Sequence, residues 1–324
     1  VLVPEGLDGG DLARLMVERG LSESGVWLHV HFLLTHAAAC AVPGPHLIRR
    51  ATPVELGAML CRTSARPTIK VTFPEGAHRV AMAEKLAAVG VVSREAFLAA
   101  TRDRGLLDSL GIAAPTVTDP QLRAAIDSAE GYLFPATYTP HADSDAAELV
   151  RSFAKESDRR WKQATDLNAK GLAALEAMGM TRRTITTLAS MVEKEAAVAD
   201  ERPLIASVFL NRLRDPEFKR LQSDPTAMYG CVAMPERIAA CENWNGKASG
   251  ELNRDPANVY STYVIDGVPP GPIANPGAQA IAAVLAPAAT NYRFFVAKGG
   301  GRHTFSATYA EHLEAVKSLR ERHE

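Results

Sequence analysis

The sequence predicts an α+β fold, with N-terminal strand-turn-helix modules ahead of a mixed α+β domain. Three observations predict it. Pro4-Glu5-Gly6 recurs as Pro74-Glu75-Gly76, each time ahead of a helix-period segment, as in two divergent copies of one unit. Helical and strand-like stretches then follow in mixed order rather than in regular alternation. Near the end, residues 292–297 and 303–306 read as strands joined by the turn Lys298-Gly-Gly-Gly301, the pattern of a hairpin.

In chain order, residues 12–20 carry a helical pattern, residues 43–45 are irregular, and a helix near 54–61 closes a first region, 1–69. The apolar run 26–42 is interrupted by His29, His31 and His36 and is too short and polar to span a bilayer. A strand at 68–73 and a helix over 79–89 flank the second Pro-Glu-Gly, in a second region, 70–120. A third region, 121–324, opens with a helix over 121–134. It continues with a polar helix over 143–175, whose Asp158-Arg-Arg-Trp161 forms a solvated face anchored by Trp161. Helices over 184–199 and 203–214 precede a strand-rich end that includes a strand over 260–265. Residues 267–277 hold four prolines and three glycines, which no helix or central strand tolerates, so they form a rigid loop.

Composition narrows the function classes. The chain has 324 residues, 47% hydrophobic and 6% aromatic, and a net charge of -1, which argues against a nucleic-acid partner. No Gly-rich nucleotide loop or serine elbow occurs, and no cofactor is implied. His303 and His312, like His29 and His31 alternating along one short segment, lack the spacing and the Cys or acidic partners of a zinc site, so no metal is expected.

One residue breaks its local pattern. At about 100° per residue, Ile185, Leu188, Ala189, Met191, Val192, Ala196 and Ala199 share one helix face, and Glu195 projects from within that arc. Glu193 and Lys194 point away from it, as solvated charges should. A carboxyl held against apolar neighbours loses hydration, which raises its pKa toward the range of a general acid. The competing account is a polar helix end at which Glu195 simply reaches water.

The run Leu188-Ala-Ser-Met-Val-Glu-Lys-Glu195 through Asn211-Arg-Leu213 resembles the signature of the endolytic murein transglycosylases, the MltG or YceG-like family. Leu221-Gln-Ser-Asp-Pro-Thr226, Tyr260-Ser-Thr-Tyr263, Gly267-Val-Pro-Pro-Gly-Pro-Ile-Ala-Asn-Pro-Gly277, His303-Thr-Phe-Ser306 and the upstream Glu130-Gly-Tyr-Leu-Phe-Pro135 match in the same order. The resemblance implies a peptidoglycan lytic transglycosylase, with the second Glu of Glu-Lys-Glu, here Glu195, as its catalytic residue. Protonated Glu195 would donate to the glycosidic oxygen between N-acetylmuramic acid and N-acetylglucosamine. It would then take the proton of the muramoyl C6 hydroxyl as that group closes a 1,6-anhydro ring.

Gln222, Asp224, Asn211, Tyr263 and Ser306 are the substrate-binding candidates that the resemblance brings forward. Three of them have a plainer alternative. Asp224 before Pro225 is a standard helix N-cap, Asn211 and Arg212 could end a helix, Tyr260 and Tyr263 could fill a core, and Ser190 suits packing better than contact with Glu195. Ser261 stands where the family often has asparagine. Two other functions remain open: a muramidase-type hydrolase, which needs a second carboxyl, and a noncatalytic glycan-binding scaffold.

Further expectations follow from the resemblance. Residues 70–120 are expected to form a LysM-like module that could hold glycan. Peptidoglycan strands are the expected partner, and cell-wall synthases are candidate partners. The expected location is the cell envelope, outside a cytoplasmic membrane in which a segment preceding Val1 would be anchored. In that oxidising space, of the three pairings that four cysteines allow, Cys40–Cys61 and Cys231–Cys241 are favoured.

Overall fold

Side-chain caps decide where the first helices begin. In a computed structural model describing residues 1–4, 6–46, 48–62 and 68–321, α1 (Gly9–Glu18) starts where Asp8 accepts from the Asp11 N–H. Ser24 does the same for Trp27 at the head of α2 (Gly25–Leu34). After α3 (Ala37–Cys40), helix α4 (Pro53–Leu60) opens with a reciprocal capping box between Thr52 and Glu55. Leu12, Met16, Leu28, Phe32, Leu56 and Leu60 form the core of this unit, which comprises Val1–Lys70 with Thr139–Asp143. The strands β1 (Leu2–Val3) and β2 (Gly44–Pro45) pair antiparallel. Cys40 and Cys61 are disulfide-bonded, their Cα atoms 4.9 Å apart. Glu5 of the first Pro-Glu-Gly lies outside the described residues. His29 and His31 belong to α2, so two positions apart they diverge by about 200° instead of sharing the alternating face expected.

The second unit, Val71–Tyr138 with Ser144–Glu324, begins at β3 (Val71–Thr72), shorter than the strand expected over 68–73. It pairs antiparallel with β4 (Thr137–Tyr138). Helices α5 (Arg79–Ala88), α6 (Arg94–Ala100), α7 (Arg104–Ser109) and α8 (Pro120–Ile126) lie between the two strands in the chain. The helix expected over 121–134 stops at Ile126 because Asp127 is extended and Gly131 adopts φ +85°; a Cβ at Gly131 would also run into Pro272. The long polar helix is in fact two, α9 (Ala146–Leu167) and α10 (Ala169–Ala177), interrupted where Asn168 leaves the helical region and its amide donates to the Ala164 carbonyl at 2.8 Å. Trp161 packs against the core under the Arg182 guanidinium, 5.2 Å from its ring.

Helix α11 (Arg182–Glu195) is capped by Thr181 and ends at Glu195, four residues earlier than expected, because Ala196 turns extended; Ala199 is exposed. It packs with α12 (Arg202–Arg214), α13 (Asp224–Ala233) and α15 (Ala278–Leu285), while the short α14 (Gly250–Arg254) packs on α13. Ile185, Leu188, Met191, Ile205, Phe209 and Val284 are buried in the core these helices share. Cys231 and Cys241 form the second disulfide, Cα atoms 5.3 Å apart. The hairpin of β5 (Phe294–Gly299) and β6 (Arg302–Ser306) precedes α16 (Tyr309–Glu321).

Residues 260–265 are turns, not the strand expected. Asn258 Oδ1 accepts from the Tyr260 N–H and Ser261 Oγ from the Tyr263 N–H, and these local side-chain bonds replace a ladder. Among the described residues after Arg214, strand structure is confined to the one hairpin, so the end of the chain is mixed rather than strand-rich. Among the described residues, no helix is long and apolar enough to cross a membrane.

Candidate active site

Helix α11 grips two different segments with two of its sides. On one, the Arg183 Nε donates to the Pro270 carbonyl at 3.2 Å and Ser190 Oγ accepts from the Ile273 N–H at 3.0 Å. Glu193 accepts from the Gly277 N–H at 2.9 Å on that side, so the proline-rich loop is clamped at three points along the helix. Glu193 is therefore not the solvated charge expected. Its side chain is 5% exposed and pairs with Arg202 at 3.0 Å, because the loop and the start of α12 close over it. Lys194 is exposed, as expected.

Glu195, at the last position of the helix, faces α13. The Ser223 hydroxyl donates to Glu195 Oε1 at 2.6 Å. Burial raises the Glu195 pKa; the Ser223 bond opposes this, the nearby Asp224 charge adds to it, and His303 and Arg212 pull against it more weakly. Among the described residues no cation lies within ion-pair distance of Glu195. A carboxyl in this setting holds its proton to higher pH than an ordinary glutamate and can release it to a group in contact.

The helix start beside Glu195 differs from the cap expected. Ser223, not Asp224, is the N-cap of α13; its side chain makes no capping bond and its hydroxyl instead donates to Glu195. Asp224 Oδ1 accepts from Asn253 Nδ2 and from the Tyr263 hydroxyl, both at 2.8 Å. Ser261 donates to the Asn253 carbonyl and so steadies the residue that holds Asp224. Burial and the Asp224 contact push the Tyr263 phenol upward, so it remains a donor. Gln222 is exposed, in the left-handed region at φ +52°, and its N–H donates to the Thr262 carbonyl at 3.1 Å. The Ser223 N–H and Thr226 Oγ1 both bond Thr262 Oγ1, which fixes the segment carrying Gln222, Ser223 and Asp224.

The remaining candidates lie farther from this point. Asn211 donates both amide hydrogens to backbone carbonyls, Thr290 and Tyr292, each at 2.9 Å, which ties α12 to the approach to the hairpin. Ser306 is buried at the end of β6 opposite Phe294. Arg212 donates to the Arg293 and Leu221 carbonyls at 2.6 Å and lies over the Phe294 ring; burial pushes its pKa down to about 10. Tyr260 is buried in the core, edge-on to Tyr229.

Several participants carry no strong sequence signal. Ser223 stood in the Gln-Ser-Asp-Pro run, but a serine ahead of a helix reads first as a cap. Glu201, 3% exposed, accepts from the backbone and ring of His303, the ring nitrogen at 2.7 Å. Glu130 is also buried. It accepts from the Arg79 N–H at 3.0 Å, the Tyr229 hydroxyl at 2.7 Å and Asn275 Nδ2 at 2.9 Å, and burial raises its pKa. Asn275 Oδ1 in turn accepts from the Gly131 and Leu133 N–H groups, so this knot holds the loop to the segment before β4.

Comparison with known proteins bears on what this arrangement serves. Residues 1–318 match the sequence model of the YceG-like family. An endolytic murein transglycosylase of Bacillus subtilis (strain 168) is 31% identical over 250 residues, which cover 76% of this chain and 64% of that protein. A protein of the same name from Streptococcus pneumoniae serotype 2 is 30% identical over 214 residues, 64% of this chain and 35% of that protein. The chain thus spans less than two thirds of the length of either relative. A crystal structure of a yceG-like protein from Listeria monocytogenes superposes with a TM-score of 0.61 at 27% identity, covering 97% of each chain.

Proposed function

This chain belongs to the YceG-like family, and from that premise we propose that it is an endolytic lytic transglycosylase of peptidoglycan. The observation that carries the proposal is the half-buried Glu195 carboxyl, whose pKa burial raises, held by the Ser223 hydroxyl at 2.6 Å and paired with no cation among the described residues. The names of the bacillary and streptococcal relatives support the substrate class.

In the proposed reaction, Glu195 donates its proton to the oxygen linking N-acetylmuramic acid to N-acetylglucosamine. The bond from the muramoyl anomeric carbon to that oxygen breaks, and positive charge develops at the carbon. The Glu195 carboxylate then accepts the proton of the muramoyl C6 hydroxyl, whose oxygen bonds the anomeric carbon and closes the 1,6-anhydro ring. The proton count on Glu195 is restored, and no water is consumed. A hydrolase would use a second carboxyl to activate water. Asp224 is the neighbour that could serve, but its Oδ1 already accepts two hydrogen bonds, from Asn253 and Tyr263. That occupancy favours a binding role for Asp224 beside Tyr263 and Gln222. Asn211 and Ser306 enter this scheme as supports of the hairpin side rather than as direct glycan contacts.

The same proposal assigns the protein to the cell envelope and residues 70–120 to a LysM-like module, β3 followed by α5 and α6, that packs beside the catalytic region. The test is to incubate purified peptidoglycan with the protein and with Glu195→Gln and to identify the fragments by mass spectrometry. Anhydro-muramoyl ends released only by the unsubstituted protein are expected. Reducing muramoyl ends would establish a hydrolase instead, and binding without any fragments would identify a scaffold.

A further inference from the structure

A cleft of about 400 Å³ opens beside Asp224, in the size range of small-ligand sites. Its bed is apolar, made by Met228, Val232 and Ile273 with the face of the half-buried Trp244. Two polar groups stand on its wall. Lys194, next to Glu195 in the chain, is exposed and makes no ion pair among the described residues. His78 accepts from the Ala81 N–H at its Nδ1, 3.1 Å, which leaves the proton of the neutral ring on Nε2 as a donor. Burial and then the Lys194 charge lower the His78 pKa and favour the neutral ring; Glu84 pulls against them, and Arg79 adds a smaller push. Asp224, the acid at the rim, is already held by Asn253 and Tyr263.

A cation with no ion pair among the described residues, a neutral N–H donor and an apolar bed stand together in this cleft, and a bare sugar carries no charge to meet the cation. They match a short acidic peptide, with Lys194 for a carboxylate, the His78 Nε2–H for an amide carbonyl, and Met228, Val232 and Trp244 for methyl and methylene groups. Resting on the transglycosylase reading of Glu195, we propose that this cleft binds the first residues of the peptide stem carried by the muramoyl ring at the scissile bond. Asp224 at its rim follows Ser223, which holds Glu195, and this adjacency makes the cleft a specificity site, which recognises stem-bearing rings and their charge while the sugar bond lies at Glu195. The knot of Glu130, Tyr229 and Asn275 supports it from behind, since Tyr229 also lines the cleft.

The test uses the whole chain with Glu195→Gln, so that binding is read without cleavage. Labelled soluble glycan strands are prepared in three forms: with stem peptides bearing free carboxylates, with the same stems amidated, and with the stems removed. Fluorescence anisotropy gives Kd for each, with and without Lys194→Glu. For the acidic stems, Lys194→Glu is expected to raise Kd about fivefold, the worth of a partly exposed ion pair; for amidated and stem-free strands it should change Kd by less than about twofold. The chain with Glu195→Gln alone should also bind acidic stems more tightly than stem-free strands. An equal loss on all three forms, or no loss on acidic stems, overturns the proposal. Strand cleavage by the chain with an intact Glu195 is scored separately, so a failure of the transglycosylase reading leaves this comparison of Kd values interpretable.

Discussion

Ser223→Ala removes the one side-chain hydrogen bond made to Glu195 among the described residues, a 2.6 Å donation from a hydroxyl to a carboxylate oxygen. That bond favours the ionised carboxyl, so its loss raises the Glu195 pKa. A hydrogen bond to a charged group is worth about 1.5–3 kcal/mol, and one pKa unit corresponds to about 1.4 kcal/mol. The full effect is therefore roughly one to two units, and partial access of water to Glu195 brings the expectation to the lower end. The assay is the pH profile of kcat/KM on soluble glycan strands, whose alkaline limb reports loss of the acid form of the free enzyme. That limb should move upward by about one unit in Ser223→Ala and stay in place in Ser223→Thr, which keeps a hydroxyl. The fold should be little affected, because the Ser223 side chain makes no capping bond to α13. An alkaline limb that is unmoved, or that moves to lower pH, refutes the assignment of Glu195 as the acid under Ser223 control.

Three further outcomes can be measured on the purified protein. The raised Glu195 pKa means that the folded state disfavours its ionised form, so the associated stability is present below the ordinary glutamate pKa and lost as pH rises through the folded value; in urea unfolding Glu195→Gln should then be more stable than the unsubstituted protein at pH 8, by on the order of 1 kcal/mol, and equally stable at pH 4, and an equal difference at both would contradict the burial argument. Glu130→Gln sets an amide N–H₂ against a ring of donors from Arg79, Tyr229 and Asn275, and urea unfolding should show a loss of about 2 kcal/mol. Gly171→Ala would place a methyl on the Leu285 carbonyl where α10 crosses the end of α15; a loss of about 2 kcal/mol or more is expected from overpacking a backbone contact, and unchanged stability would show that the two helices can part freely.

The legible part of the site was the part written in local pattern. Glu195 stood out because a carboxyl interrupted an apolar helix face, and the same face is buried from Ile185 to Val192. The loop over 267–277 was legible because prolines and glycines exclude regular structure wherever they are placed. The segment over 260–265 was misread as a strand, since its tyrosines have strand propensity while Asn258 and Ser261 bond their own backbone into turns. Glu193 was misread for a related reason, as helical position alone could not reveal that Arg202 and the Gly277 N–H would meet it.

By itself, the sequence determined where most helices run, that Glu195 interrupts an apolar helix face, and the family likeness, since each rests on neighbours within a few turns or on long runs of matching residues. Only the tertiary structure decided that Ser223, 28 positions along the chain, donates to Glu195, that Asp224 is held by Asn253 and Tyr263 instead of capping its helix, and that Lys194 and His78 share a cleft with Trp244. The physical reason is range. Periodicity and capping are set by bonds between residues three or four apart, whereas the protonation and partners of a buried carboxyl are set by whichever side chains packing brings against it.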